Sequence, residues 1–385
     1  MRVRLDSIYS LDNMSKMGLN KSNYCAALLV CLLTICLASC SPHEPKVEKF
    51  TINNVSPRCD MNGQILDAHG GCLQFFDGRF YLYGNHFGTN KDETRPNCPL
   101  AAYSSPNLVD WTYEGALLKD PPNGVYYRPY VVFNSQTKKY VLWFNWYQKL
   151  WQGQAGVAVS DNPTGPFVIA NAKAHLSGKS PGDGSLFVDD DGTGYYIYTD
   201  IANDYAVRIE QLRPDYLDVS GDASDFIGYG NEAPILFRRH DLYYALCEPL
   251  CADCPQGSDV FVEMAPAALG PYHFAGDINH SAGTNQVQAS EMSNQTNNAF
   301  ISSEGGFTLT HKNPFIRGQE TWVARLPLAG EPAFIWMADG WKSARDRTRG
   351  HDFQYWSAPL SFNPDGTIQP LKFTPAWTII SKKKI

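Results

Sequence analysis

One hairpin pattern recurs along this chain, and it leaves few folds open. Ser180 to Asp200 reads SPGDGSLFVDDDGTGYYIYTD. A polar lead-in carrying Asp183 precedes a short apolar run at Leu186, Phe187 and Val188. A tight acidic turn follows from Asp189 to Thr193, where Gly192 can take positive φ, and an aromatic strand runs from Gly194 to Tyr198. The pattern returns at Gly70–Gly84 (GGCLQFFDGRFYLYG), Pro129–Trp143 (PYVVFNSQTKKYVLW), Ala233–Ala245 (APILFRRHDLYYA) and, less clearly, Thr321–Met337. Several copies carry a second half: AAYSSPNLVDWTYEG, AGVAVSDNPTGPFVI and SDVFVEMAPAALGPYHF. These read as the outer strands of a blade, with Trp111 and Phe167 packing between blades. Helical periodicity is nearly absent. A period of roughly fifty to sixty residues suits propeller blades with insertions better than a sandwich. The expected fold is therefore all-β, a five-bladed β-propeller, with the long insertion Gly276–Arg317 before the fifth blade. Polar residues precede each copy, so one mouth of the propeller should collect them.

Composition narrows the surroundings. The chain has 385 residues, 43% hydrophobic and 13% aromatic, a loading that suits sheet packing and sugar stacking alike. A net charge of −7 argues against nucleic acid, which wants basic patches. Lys16 and Lys21 precede the apolar run Ala26–Ala38, which is too short to span a bilayer and ends in Leu37-Ala38-Ser39-Cys40. That ending resembles a bacterial lipobox, with Cys40 lipidated; the alternative is a soluble signal peptide cut nearby. Met17 is a plausible start. The chain then divides into a signal segment (1–40), a tether (41–49) and a propeller (50–385), exported and held to a membrane by a lipid anchor only, on the periplasmic or surface side of a bacterial outer membrane. Six of the ten cysteines follow Cys40. Cys247, Cys251 and Cys254 have zinc-like spacing without a fourth ligand, and in an exported chain a disulfide or free thiols are the better expectation. No cofactor or metal is expected.

SSPNLVDWTYEG, VAVSDNPTGPF, DGSLFVDDDGTGYYIY and NEAPILFRRHDLYYAL, in this order and spacing, resemble glycoside hydrolase family 43, the five-bladed propeller enzymes. Ala68-His69-Gly70-Gly71 and Met337-Ala338-Asp339-Gly340-Trp341 look like the branch that includes exo-β-1,3-galactanases. The resemblance implies an inverting glycosidase, whose chemistry needs an acid for the leaving oxygen and a base for water roughly 6.5–9.5 Å away. It makes Glu232, in Asn231-Glu232-Ala233-Pro234, the general acid. Asp183 becomes the carboxylate that raises and orients that acid.

The base is the difficulty, because most of the family has an aspartate where this chain has His69. The branch points to Gln319, whose amide is a poor base by type. Asp67 follows as second choice, then Glu320, which strand alternation turns away from the face of Gln319. Tyr127-Arg128-Pro129 and Tyr83-Gly84-Asn85 replace phrases that carry a glutamate in the branch, removing two carboxylates able to hold a sugar hydroxyl. His69, Tyr127, Arg128 and Trp341 are the candidate substrate-binding residues, each with a packing or ion-pairing alternative; Asn145, Trp146 and Gln354 are weaker ones. The expected reaction is removal of terminal sugars from a plant-type polysaccharide. β-1,3-linked galactose is the first substrate, α-L-arabinofuranose the second, and a carbohydrate-binding propeller without hydrolysis the rival from another class.

Overall fold

The inner and middle strands of this protein have to bury both faces, because a blade is sandwiched between two others, while outer strands such as Thr112–Ala116 stay largely exposed. A computed structural model describes residues 47–92, 94–250, 257–279, 315–327 and 332–382. The signal segment with Cys40, most of the Gly276–Arg317 insertion, Cys251 and Cys254 lie outside the described residues. Glu48–Ser381 forms one compact unit.

After β1 (Val47–Asn53), the first blade is β2 (Leu73–Phe76), β3 (Arg79–Asn85), β4 (Leu100–Ser105) and β5 (Thr112–Ala116). The second is β6 (Val125–Asn134), β7 (Lys139–Lys149), β8 (Gln152–Ser160) and β9 (Val168–Asn171). The third is β10 (Pro181–Val188), β11 (Gly194–Asp200), β12 (Ala206–Leu212) and β13 (Val219–Ala223). The fourth is β14 (Asn231–Arg239), β15 (Leu242–Pro249), β16 (Phe261–Ala265) and β17 (His273–Asp277). The fifth has three strands, β18 (Gln319–Leu326), β19 (Ala333–Gly340) and β20 (Phe353–Trp356), while β21 (Ala376–Lys382) pairs with β1. Within every blade the strands pair antiparallel in sequence order. The fold is the expected five-bladed β-propeller.

Alternation explains the aromatic loading. On β11, Tyr196 meets Trp143 of the second blade with ring centroids 4.7 Å apart. The intervening Ile197 faces the other way, into a cluster with Leu236, Ala245 and Phe261 of the fourth blade. Fully burying a side chain of this size contributes about 1.5–3 kcal/mol, so wedge-shaped blades are held mainly by these two-faced strands. Trp111 is buried between blades as its spacing suggests, edge-on to Trp356 of the fifth blade at 5.9 Å.

The ring closes where the chain begins and ends. The Asn54 side chain mimics a strand: its amide NH2 donates to the Trp356 carbonyl at 2.8 Å and its oxygen accepts the Trp356 N–H at 3.2 Å. Trp322 of β18 donates its indole N–H to the Leu73 carbonyl of β2 at 3.0 Å, stitching fifth blade to first. The first-blade phrase Ala68-His69-Gly70-Gly71 lies flat against β3. A Cβ at Gly71 would run into the Tyr83 carbonyl, and one at Gly84 into the backbone of Ala68 and His69. We therefore expect Gly71→Ala to destabilise the fold by about 3 kcal/mol, as over-packing of backbone against backbone does, read as a lowered midpoint of chemical unfolding with the m-value unchanged.

Candidate functional site

The inner strands all start at one end of the propeller axis, and four of them are irregular there. β6 slips register between Tyr127 and Tyr130, β10 between Pro181 and Gly184, β14 between Glu232 and Ile235, and β18 between Glu320 and Trp322. Bulges re-aim side chains, and these turn Arg128, Asp183, Glu232 and Gln319 into one cavity of about 340 Å³. Arg128 (φ 53°) and Ala233 (φ 55°) sit inside the bulges in left-handed conformation, a strain of about 1–3 kcal/mol each that the surrounding bonds must hold. Asp183 therefore lies within a strand rather than just before one, at the bulge that aims it.

The polar contacts form two short chains. The Arg128 Nη2 donates to Asp183 Oδ2 at 2.7 Å and its Nη1 to the Glu320 carbonyl at 3.0 Å. The Ala233 N–H donates to the same Asp183 oxygen at 3.2 Å, which fixes Asp183 beside Glu232. On the other side Trp341 Nε1 donates to Gln319 Oε1, and Gln319 Nε2 donates to Glu232 Oε1, both at 2.7 Å. An indole N–H only donates, so it decides which end of the Gln319 amide is oxygen. Burial would lower the Arg128 pKa, but Asp183, with Tyr130 and Glu232 behind it, more than offsets that and raises it above the ordinary value.

Among the described residues lining the cavity, only Asp183 and Glu232 carry carboxyl groups. Tyr127, Asn85 and Arg349 complete its polar wall. No group of three or more His, Cys, Asp or Glu side chains among the described residues is placed to hold a metal ion. A second hollow of about 450 Å³ opens at the other ends of the inner strands, among Phe75, Phe133 and Phe187. Its aspartates Asp189 and Asp190 are spent on Arg238 and Arg325.

Residues 74–341 match the family model described as glycosyl hydrolases family 43. The chain belongs to that family, an inverting one. It is 26% identical over 316 residues to an arabinoxylan arabinofuranohydrolase of Bacillus subtilis (strain 168), covering 66% of this chain and 58% of the relative's length. Among solved structures it is similar in fold to an exo-β-1,3-galactanase from Clostridium thermocellum, with a TM-score of 0.68 and 22% identity over 86% of this chain and 68% of that one. The exo-β-1,3-galactanase from Phanerochaete chrysosporium with β-1,3-galactotriose is also similar, with a TM-score of 0.65 and 22% identity over 87% of this chain and 71% of that one.

In this family 43 chain, Glu232, Asp183, Gln319, Tyr127, Arg128 and Trp341 all line the cavity, whereas His69 does not. His69 is 0% exposed and lies under the floor, its Nδ1 3.2 Å from Asp339 Oδ1 and its Nε2 3.7 Å from Asp67 Oδ1. Asp67 accepts the N–H groups of Phe87 and Gly88 at 2.9 and 2.6 Å and is likewise outside the lining. Glu320 points away from the cavity, accepting the Trp336 indole N–H, so of the three residues weighed as base only Gln319 faces substrate space. Asn145 donates to the Gly182 carbonyl, Trp146 to that of Asn123 and Gln354 to that of Ala68; all three support backbone.

Two residues that the sequence reading passed over matter here. Trp151, at the tip of the β7–β8 hairpin, is 54% exposed at the cavity mouth and stands edge-on to Tyr147, which stands edge-on to Tyr127. A tryptophan at a turn just past a long aromatic strand was the available signal. Arg349 reaches the wall from a 3-10 turn, its guanidinium 4.7 Å above the Trp341 ring and 3.1 Å from Asp352. In sequence it is one of several arginines in a basic stretch, and nothing marks it out.

Burial would lower the His69 pKa, but Asp339, then Asp67 and Asp352, outweigh it and carry it up to about 9. A raised histidine stabilises the fold fully below its ordinary 6.5, and the contribution is lost as pH rises through about 9. It amounts to about 3 kcal/mol. His69→Gln should accordingly cost most stability at acidic to neutral pH and little above pH ~9, as read from unfolding midpoints across that range.

Proposed function

We propose that this chain removes terminal sugars from a plant-type polysaccharide by single displacement with inversion, Glu232 acting as general acid. The observation that carries this reading is the pairing of Glu232 with Asp183 through the Ala233 N–H, at the base of a cavity reached by both. Binding alone does not need a buried acid beside a second carboxylate; proton donation to a leaving oxygen does. Asp183, fixed by Arg128, orients Glu232 by holding the neighbouring Ala233 N–H. Gln319 places water: Trp341 occupies one lone pair of its amide oxygen, and the other is available to a water proton. The cavity is near the small end of ligand pockets, which run from roughly 300 to 1,000 Å³, a size suited to a chain end.

β-1,3-linked galactose is the preferred substrate. Ala68-His69-Gly70-Gly71 and Gln319 support it, as do the names of the solved structures similar in fold. α-L-arabinofuranose is the alternative, supported by the name of the curated relative. The same reading has the protein exported and anchored to the outer membrane through lipidated Cys40. A second reading, a carbohydrate-binding propeller, is favoured by one observation: no described carboxylate lines the cavity opposite Glu232 and Asp183.

Release of monosaccharide from β-1,3-galactan and from arabinan, side by side, separates these readings. The expected outcome is galactose from the wild type, with Glu232→Gln slower by about a thousandfold and Asp183→Asn by about a hundredfold. Arabinose alone would move the substrate and keep the acid; equal release by wild type and Glu232→Gln would take the acid role away from Glu232. No release from either glycan, with retained binding to one of them, would favour the binding propeller. Trp151→Ala should raise KM roughly three- to tenfold with kcat little changed, the loss of one stacking face at the mouth, as steady-state kinetics would read.

A further inference from the structure

Behind the cavity, two glutamates that the reaction does not use join the fourth blade to the fifth. Glu248 on β15 and Glu320 on β18 are 1% and 0% exposed. Glu320 is a hub. Its N–H donates to Glu248 Oε1 at 2.7 Å, and its carbonyl accepts from Arg128 Nη1 at 3.0 Å. Its carboxyl accepts the Trp336 indole N–H on Oε2 at 3.1 Å, while Oε1 is buried with no hydrogen-bond partner. The next residue on one side, Gln319, donates to Glu232; the next on the other, Thr321, accepts the Tyr130 hydroxyl through its carbonyl. Glu248 in turn lies directly across the β14–β15 ladder from Glu232. The pair therefore touches, through one peptide, both residues that hold the catalytic carboxyls.

The charges around the pair do not balance if both ionise. Arg128 on β6 is the cation that faces it, and Asp183 on β10 already takes that guanidinium. Glu232 faces it from β14, the Cys247 thiol from β15, and Glu263 on β16 lies beyond that thiol. An anionic oxygen such as Glu320 Oε1, buried without a donor, is far costlier than the same oxygen carrying a proton.

We propose that Glu248 and Glu320 form a protonated clasp between the fourth and fifth blades, a positioning pair that sets Gln319 against Glu232 and Arg128 against Asp183, and that releases them as the pH rises. Burial, then repulsion from Glu320, lifts Glu248 well above the ordinary carboxylate range, and burial carries Glu320 up to about 8 against the Trp336 donor and Arg128. Both groups bind protons more tightly folded than unfolded. Their stabilising contribution is thus complete below about 4.5 and is lost as pH rises through about 8. Above that, like charges meet where the Glu320 N–H meets Glu248, and the start of β18 loses its tie to β15.

The clasp stands apart from the hydrolase reading; only its effect on Glu232 rests on that reading. Glu248→Gln/Glu320→Gln replaces both acids by neutral groups of the same shape that keep the acceptor for the Glu320 N–H and for Trp336. Between about pH 5 and pH 9, the wild-type unfolding midpoint should fall, and the double variant's should fall distinctly less; equal slopes would overturn the clasp. Carboxyl resonances of glutamate-labelled wild-type protein supply a readout that needs no variant to fold. Three glutamates titrating well above the others are expected, because burial alone carries Glu263 up to about 8 beside the pair; a single raised glutamate, or none, would overturn it. Where the wild type turns a glycoside over, the alkaline limb of kcat/KM should move to higher pH in the double variant, by about one unit. A limb that stays in place while the unfolding slope changes would overturn the positioning role and leave the clasp. Loss of turnover in Glu232→Gln tests the acid independently of both.

Discussion

A ring of sheets holds only if its last blade meets its first, and here that seam is polar and built from one short phrase. Asp339, at the end of β19, accepts the Gly70 N–H at 2.6 Å and sits against the His69 ring, so the fifth blade grips the first through its backbone. Gln354 adds a bond to the Ala68 carbonyl, and Asn54 lends β20 a false strand neighbour. The seam also fixes the site. Two residues after Asp339 comes Trp341, whose indole orients Gln319, whose amide meets Glu232. First, fifth and fourth blades are thus connected by three hydrogen bonds, Gly70 to Asp339, Trp341 to Gln319 and Gln319 to Glu232. His69, buried between Asp339 and Asp67, belongs to that seam rather than to the cavity.

The remaining blades contribute through defects. A regular inner strand would alternate its side chains into the neighbouring blades on either side and present only backbone to the axis. Each bulge inserts residues that break this alternation at the mouth; Arg128 and Asp183 occupy the bulges of two consecutive blades, and Glu232 immediately precedes that of the next. Left-handed Arg128 and Ala233 are the strained points, and each is tied down by the bond it makes to Asp183. Asp183 is thus the organising anion of the mouth: one oxygen receives both a guanidinium of the second blade and a backbone N–H of the fourth.

Much of this was legible in the residues. The repeated apolar run, acidic turn and aromatic strand give the blades, because strand, turn and two-sided burial each leave a local mark. Glu232 and Asp183 were singled out by the resemblance of the phrases around them, and both line the cavity. Gln319, to which the branch points, lines it too. His69 was misplaced because a short motif records which residues sit together, not which of them reaches solvent. The packing of Gly71 and Gly84 and the full burial of His69 show that the histidine lies under the floor while Gly70 lines the cavity. Trp151 and Arg349 come from a hairpin tip and a 3-10 turn, where no periodicity ties sequence to direction. The Glu248–Glu320 pair is invisible in sequence, since it depends on which strands of neighbouring blades face each other at the axis.

The two kinds of likeness pull the substrate in different directions, and the site explains why they can. The bulged strand of Glu232 with the neighbouring Asp183 is fixed by the propeller and says little about the sugar. The rest of the cavity lining comes from elsewhere: Tyr127 and Asn85 where the galactanase-like phrases carry carboxylates, Trp151 at the mouth, Arg349 in the wall. A carboxylate accepts from two hydroxyls; a phenol and an amide offer one donor face and one acceptor face each, and an indole offers a flat apolar surface. The wall therefore trades bidentate grip on vicinal hydroxyls for stacking and single bonds. Selectivity in this cavity should come more from the shape of the ring lying against the Tyr127, Tyr147 and Trp151 ladder than from a count of its hydroxyl contacts.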